Sequence, residues 1–194
     1  AFTMIEGTPN SNIPMKSQIL KDLYKQALKE DCSDDQLQEM MHFISFIKNY
    51  MVPQSEWAQE TLPNKEAVKI AIQYEAVKSQ NPSHLWLDFD DLLVLAYEAL
   101  STDKAIHAAF TSLYDYVLTD ESQDTARLQH AIVEQLVSSH QNLCVVADDD
   151  QTIYSWIAAN PSYLLDFKET YPHAKILKME QNYRSSPNIV KVAN

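Results

Sequence analysis

Residues 116–125 read Tyr-Val-Leu-Thr-Asp-Glu-Ser-Gln-Asp-Thr: a short apolar run, Tyr116-Val117-Leu118-Thr119, that stops abruptly at Asp120-Glu121. A run of this length without helical periodicity reads as a strand buried in a sheet. The rhythm repeats downstream. A helical pattern through Leu128, Ile132, Val133 and Leu136 leads to a second apolar run, Leu143-Cys144-Val145-Val146-Ala147. A helix opened by Asn160-Pro161 follows, then the run Lys175-Ile176-Leu177-Lys178-Met179, and Ser186-Pro187 opens a last helix. Short buried strands alternating with helices predict an α/β fold with a parallel sheet. In such sheets ligands bind beyond the carboxyl ends of the strands. The polar clusters fall there: Asp120-Glu121, Asp148-Asp149-Asp150-Gln151 and Glu180-Gln181-Asn182-Tyr183-Arg184.

Toward the N-terminus the pattern is helical. Met15, Ile19, Leu23 and Ala27 fall four apart, flanked by Leu20, Tyr24 and Leu28, with Pro14 placed as a first-turn residue. Ser33-Asp34-Asp35-Gln36 has capping-box spacing and precedes a helix through Leu37, Met40, Met41, Ile44, Ile47 and Met51 that stops near Pro53. A polar stretch containing Pro53 and Pro63 precedes a third helix with the face Ala67, Ile70, Ala71, Tyr74 and Val77. Methionines and aromatics at this spacing read as helix packing. No catalytic pattern appears before residue 85.

Composition narrows the function classes. The chain has 194 residues, 45% hydrophobic, enough for one large domain or a domain with an insertion. No stretch approaches the roughly 18 apolar residues that span a membrane. The N-terminus lacks a basic segment followed by an apolar run, so no signal peptide is expected. Cys32 and Cys144 are too few for a disulfide scaffold and lack metal-ligand spacing. These features predict a soluble, cytoplasmic protein. Gly7 is the single glycine, where average usage gives roughly 14. A Gly-rich phosphate loop of the Walker A or dinucleotide type is therefore absent from this sequence. The formal charge of −12 disfavours indiscriminate coating of nucleic acid, although it leaves room for a local groove.

An apolar strand ending in Asp-Glu is a Walker B arrangement, in which the Asp holds Mg²⁺ and the Glu polarises a water attacking a γ-phosphate. By itself the dipeptide is common. Here it heads an ordered series: Thr119–Thr125, then Ala147-Asp148-Asp149-Asp150-Gln151-Thr152-Ile153-Tyr154-Ser155-Trp156, then Leu177-Lys178-Met179-Glu180-Gln181-Asn182-Tyr183-Arg184-Ser185-Ser186, with Leu87-Asp88-Phe89-Asp90-Asp91-Leu92-Leu93 upstream. Together these segments resemble motifs of the UvrD/Rep/PcrA-type superfamily-one DNA helicases. The resemblance is specific over residues 85–194. It implies part of a RecA-like P-loop NTPase sheet there, the first motor domain as far as the start of the second, preceded over residues 1–84 by an all-helical insertion subdomain.

The resemblance also implies roles. Asp120 is the Mg²⁺ carboxylate, with Glu121 beside it as general base on the hydrolytic water. Gln151 senses the γ-phosphate, and Arg184 contacts it where positive charge stabilises the transition state. Tyr183 stacks on the nucleotide base. Tyr154 and Trp156 belong to the single-strand groove, where bases stack on aromatic faces. The implied cofactors are ATP and Mg²⁺, and the implied partners are single-stranded DNA and duplex junctions, with no membrane. Asp148, Asp149 and Asp150 read as a turn and capping cluster, and Gln123 and Asp124 as supports rather than catalysts.

The sequence departs from the family pattern in three ways. The Walker A segment, which the family carries N-terminal to everything here, and the second motor domain are not in this sequence. Hence the chain by itself is expected not to turn over ATP. Ala147, Ser155 and Ala158 stand where glycines are usual, and Ile157 stands where arginine usually follows the tryptophan. The lost cation removes a contact to DNA or to the glutamine. The alternative reading is therefore a helicase-like docking module that binds DNA or protein without ATPase activity.

Overall fold

The computed structural model describes residues 1–7, 14–59, 65–81, 83–148, 163 and 166–193. Helices α1 (Lys16–Leu28), α2 (Asp34–Asn49) and α3 (Lys65–Lys78) carry the largest apolar core. Ile19, Leu20, Leu23 and Tyr24 of α1 meet Met40, Phe43, Ile44 and Ile47 of α2 and Ile70, Ala71 and Tyr74 of α3, with Ile5 and Trp57 closing the cluster. Burying each Leu, Ile or Phe side chain contributes about 1.5–3 kcal/mol. The predicted capping box forms: Ser33 Oγ accepts from the Gln36 amide at 3.2 Å, and Gln36 Oε1 accepts from the Ser33 amide at 2.9 Å.

Two expected boundaries differ. Pro14 lies ahead of α1 rather than in its first turn, because the Lys16 amide donates to the Ile5 carbonyl at 2.8 Å and Met15 is the extended N-cap. Helix α2 ends at Asn49, short of Met51, whose backbone turns left-handed at φ 61°.

Two small parallel sheets form among the described residues. Strand β1 (Phe2–Met4) pairs with β2 (Leu85–Leu87), Thr3 opposite Trp86, so residues 1–84 are not all helical as expected: their first apolar run finds a ladder partner just past residue 84. Strand β3 (Val117–Thr119) pairs with β4 (Leu143–Val145), Leu118 opposite Cys144. The expected strands at 116–119 and 143–147 are thus present in shortened form and parallel. The run 175–179 is not a strand. It has no ladder partner, and Leu177 and Met179 are 88% and 89% exposed. It belongs to a separate compact unit, Leu165–Asn194, which holds no strand among its described residues. An apolar run without a hydrogen-bonding neighbour cannot form a ladder. The helix expected from Asn160-Pro161 begins outside the described residues. The last one forms as Pro187–Ala193.

Within the unit Ala1–Leu164, α4 (Phe89–Thr102) packs on α2, α5 (Lys104–Thr111) and α6 (Arg127–Val137). Leu100, Leu128 and Val137 are buried in this region. No helix among the described residues is long and apolar enough to cross a membrane.

The start of α4 is held by charge. Asp88 is wholly buried and caps the helix, accepting from the Asp91 amide at 2.9 Å while Asp91 Oδ2 accepts from the Asp88 amide at 2.8 Å. Three buried lysines converge on it from three helices: Lys48 at 3.1 Å, Lys78 at 3.3 Å and Lys16 at 3.6 Å. Lys48 and Lys78 also reach Asp91, each at 2.7 Å, and Lys16 reaches Asp90 and Glu6. The Tyr74 hydroxyl donates to Asp88 at 2.8 Å, and Ser45 and Asn49 donate to Asp90. Burial by itself would push the Asp88 carboxyl up, but the three ammonium groups outweigh it and hold that carboxyl well below the usual carboxylate range.

Two stability experiments follow from this arrangement. Asp88→Asn leaves buried ammonium groups short of a counter-charge and is expected to destabilise the chain by about 3–5 kcal/mol in urea unfolding. Since the native carboxyl titrates lower than the unfolded one, its contribution is complete above about pH 4 and is lost as the pH falls below that. The gap between variant and wild type should therefore close in acid. Separately, exposed Lys29 ends α1 in a left-handed conformation, φ 63°, that glycine adopts without a Cβ clash. Lys29→Gly is expected to raise stability by about 0.5–1 kcal/mol in the same assay.

Candidate active site at the end of strand β3

Strand β3 delivers Asp120 and Glu121 to its carboxyl end beside β4. The ladder continues past the strands: the Val146 amide donates to the Thr119 carbonyl at 2.8 Å, and the Ser122 amide donates to the Val146 carbonyl at 3.1 Å. Between these bonds the chain turns sharply. Glu121 sits at φ 51°, ψ 39°, as N-cap of a 3₁₀ turn, Ser122–Asp124. Its amide donates to Asp120 Oδ1 at 2.9 Å. A left-handed glutamate is an uncommon backbone state held by its surroundings.

Those surroundings are polar and buried. The Gln123 side chain is enclosed, with Nε2 donating to Glu121 Oε2 at 2.6 Å and Oε1 accepting from the Asp148 amide at 3.1 Å. Ser122 Oγ donates to Thr119 Oγ1 at 2.9 Å. Thr125 Oγ1 donates to the Ser122 carbonyl at 2.8 Å and lies 2.6 Å from His130 Nε2. With the threonine proton committed, Nε2–H is the donor, which assigns the tautomer from the network. Tyr163 stacks on the His130 ring, centroids 3.7 Å apart. Burial pushes the His130 imidazole down to about 4, against the smaller opposing effect of its hydrogen bonds near Thr125 and Ser122.

Asp120 and Glu121 are therefore adjacent and both exposed at the strand end. Tyr183 and Arg184 adjoin each other in the unit Leu165–Asn194, both exposed, where Asn182 Oδ1 accepts from the Arg184 and Ser185 amides at 2.9 Å. Gln151, Tyr154 and Trp156 lie outside the described residues, as do Asp149, Asp150 and Ile157.

The donor set at β3 suits a hard cation. Asp120 and Glu121 offer exposed carboxylate oxygens, and buried Asp124 Oδ1 has no hydrogen-bond partner among the described residues. Mg²⁺ commonly takes one or two carboxylates and completes its shell with water and substrate phosphates. A tighter trio, Glu75, Asp88 and Asp91, lies within ion-binding distance. The Lys48 and Lys78 ammonium groups already pair with all three.

Residues 4–172 match the UvrD/REP helicase N-terminal domain. The chain belongs to the UvrD/Rep helicase family. It is 37% identical over 180 residues to the putative ATP-dependent DNA helicase YjcD of Bacillus subtilis, covering 91% of this chain and 22% of that protein. It is 34% identical over 195 residues to the ATP-dependent DNA helicase PcrA of Staphylococcus epidermidis, covering 100% of this chain and 25% of that protein. It is 34% identical over 176 residues to the ATP-dependent DNA helicase Rep of Buchnera aphidicola, covering 91% of this chain and 26% of that protein. The chain thus spans about a quarter of the length of the curated relatives it matches.

Within this UvrD/Rep-family chain, sequence reasoning undervalued two groups. Gln123 read as a support without a stated partner, and no pattern in the sequence marked His130. The signal for Gln123 was its place two residues after Glu121, the reach of an amide folding back on a tight turn. His130 lies five residues after Thr125, but only the turn geometry brings the two together.

A neutral His130 sets a pH dependence. Its native pKa is below the ordinary value of about 6.5, so its contribution is complete above that pH and is lost as pH falls toward 4. Stability is expected to drop in that window by up to about 1.4 kcal/mol per pH unit. His130→Gln should flatten the profile between pH 4 and 6.5 in urea titrations, and an unchanged slope would rule the assignment out.

Proposed function

We propose that the full-length protein is an ATP-dependent DNA helicase or translocase. It couples ATP hydrolysis to movement on single-stranded DNA and to unwinding at duplex junctions, as a cytoplasmic enzyme of DNA repair or replication. The observation that carries the reading is the β3 exit, where a Walker B Asp-Glu pair stands exposed with its glutamate held by a buried amide. The relatives PcrA and Rep, named as ATP-dependent DNA helicases, support the same activity.

In this reading residues 85–194 contribute the Walker B part of a RecA-like first motor domain, and residues 1–84 form its helical insertion subdomain. Asp120, with Glu121 beside it, holds Mg²⁺, which supplies charge neutralisation to the phosphates when bound. Glu121 accepts the proton of the attacking water. Gln151 senses the γ-phosphate, Arg184 stabilises charge on it and Tyr183 stacks on the adenine. Tyr154 and Trp156 take successive DNA bases on their faces at roughly 1–3 kcal/mol each. The second reading, a docking module without ATPase activity, draws on Ile157 in place of the usual arginine and on the charge of −12.

The deciding experiment is single-stranded-DNA-stimulated ATP hydrolysis by the full-length protein, with Glu121→Gln as control. Stimulation by DNA, lowered roughly 10²–10⁴-fold by the substitution, is expected of a motor whose general base is Glu121. A folded full-length protein that hydrolyses no ATP with or without DNA would instead establish the docking module.

A further inference from the structure

Gln123 is a buried side chain that touches both strand exits at once. Its Nε2 donates to the Glu121 carboxylate after β3, and its Oε1 accepts from the Asp148 amide after β4. We infer that Gln123 is a positioning residue: it fixes the Glu121 carboxylate relative to the main chain at Asp148, so that the proton acceptor and the β4 exit move as one piece. The inference rests on the reading of Glu121 as general base.

The chemistry explains why a glutamine stands here. The task needs a donor and an acceptor on one rigid planar group, each aimed at a different strand end. A glutamate would present only acceptors, setting a second carboxylate against Glu121. A methionine would fill the space and bond to neither. The backbone constrains Glu121 as well, since its left-handed φ of 51° sets the direction of Cβ. The remaining side-chain rotors are free unless something holds the carboxylate. The 2.6 Å bond from Gln123 does so from within the fold, while Asp120 and Glu121 remain exposed residues. Positioning of this kind acts on the chemical step, because a catalytic group misplaced by about 1 Å loses about 10²-fold in rate.

Three variants of the full-length protein separate the two bonds. Gln123→Met keeps the buried volume and removes both. Gln123→Glu keeps the acceptor for the Asp148 amide and removes the donor. Gln123→Met is expected to lower kcat for ATP ten- to hundredfold, with KM for ATP within twofold and a melting temperature within a few degrees of the wild type. Gln123→Glu should lose kcat similarly. Glu121→Gln sets the floor that neither should pass. Hydrogen exchange followed by mass spectrometry gives a readout independent of turnover. The Asp148 amide should be protected in the wild type and in Gln123→Glu, and exchange at least tenfold faster in Gln123→Met. An active wild type whose Gln123→Met variant keeps its kcat overturns the positioning role alone. An unprotected Asp148 amide in the wild type also overturns it, even if no variant folds. A wild type without ATPase activity overturns the reading of Glu121, and this inference with it.

Discussion

Asp88 and the three lysines around it are the interaction on which the arrangement of the larger unit depends. The lysines come from α1, α2 and α3, and the carboxylate stands at the first turn of α4, so one buried charge joins four helices. A buried ion pair holds only when its remaining lone pairs and protons are also satisfied. Here they are met by the Tyr74 hydroxyl, by the Asp91 amide and, around Asp90, by Ser45 and Asn49. The carboxylates also lie at the positive end of the α4 dipole, which favours their charged form. Apolar packing favours a few crossing angles between helices, and this network adds fixed polar partners that tie the register of α4 to α1, α2 and α3.

That register reaches the candidate site through α4. The helix packs on α6, and α6 follows directly from the turn that carries Asp120 and Glu121. His130, on α6, fixes Thr125 at the end of that turn, while the bonds between Thr119, Val146 and Ser122 fix its beginning. The exposed carboxylates therefore stand on a frame whose other contacts are internal. Catalysis by placed charge requires that the placing be finished before the substrate arrives.

The sequence made some of this legible and hid the rest for physical reasons. Strands β3 and β4 were visible because each apolar run stops at an acid, and α1 to α3 because their apolar faces recur at helical spacing. The capping box at Ser33 was visible because its partners are three residues apart. The ionic cluster was not, since Lys16, Lys48, Lys78 and Asp88 are remote in sequence and each reads by itself as a surface charge. Strands β1 and β2 pair Phe2 with Leu85, so neither short run has a neighbouring run close by in sequence to mark it as part of a sheet. The apolar run at 175–179 misled because pattern reports what a segment prefers, and a strand also needs a neighbour. At the site, Asp120 and Glu121 were read from their place after a strand, while the task of Gln123 depends on a turn whose geometry no spacing rule encodes.

The scarcity of glycine gives that turn its meaning. Lys29, Met51, Glu121 and Gln141 all adopt positive φ among the described residues, although the chain has one glycine elsewhere. At Lys29 the strain serves a helix end, and a glycine there would relieve it without loss. At Glu121 the same relief would remove the carboxylate itself. In the proposed reading, the left-handed conformation at Glu121 keeps a carboxylate that glycine could not supply. The bonds from Asp120, Gln123 and the β4 exit are what hold it there against a local cost on the order of 1–3 kcal/mol.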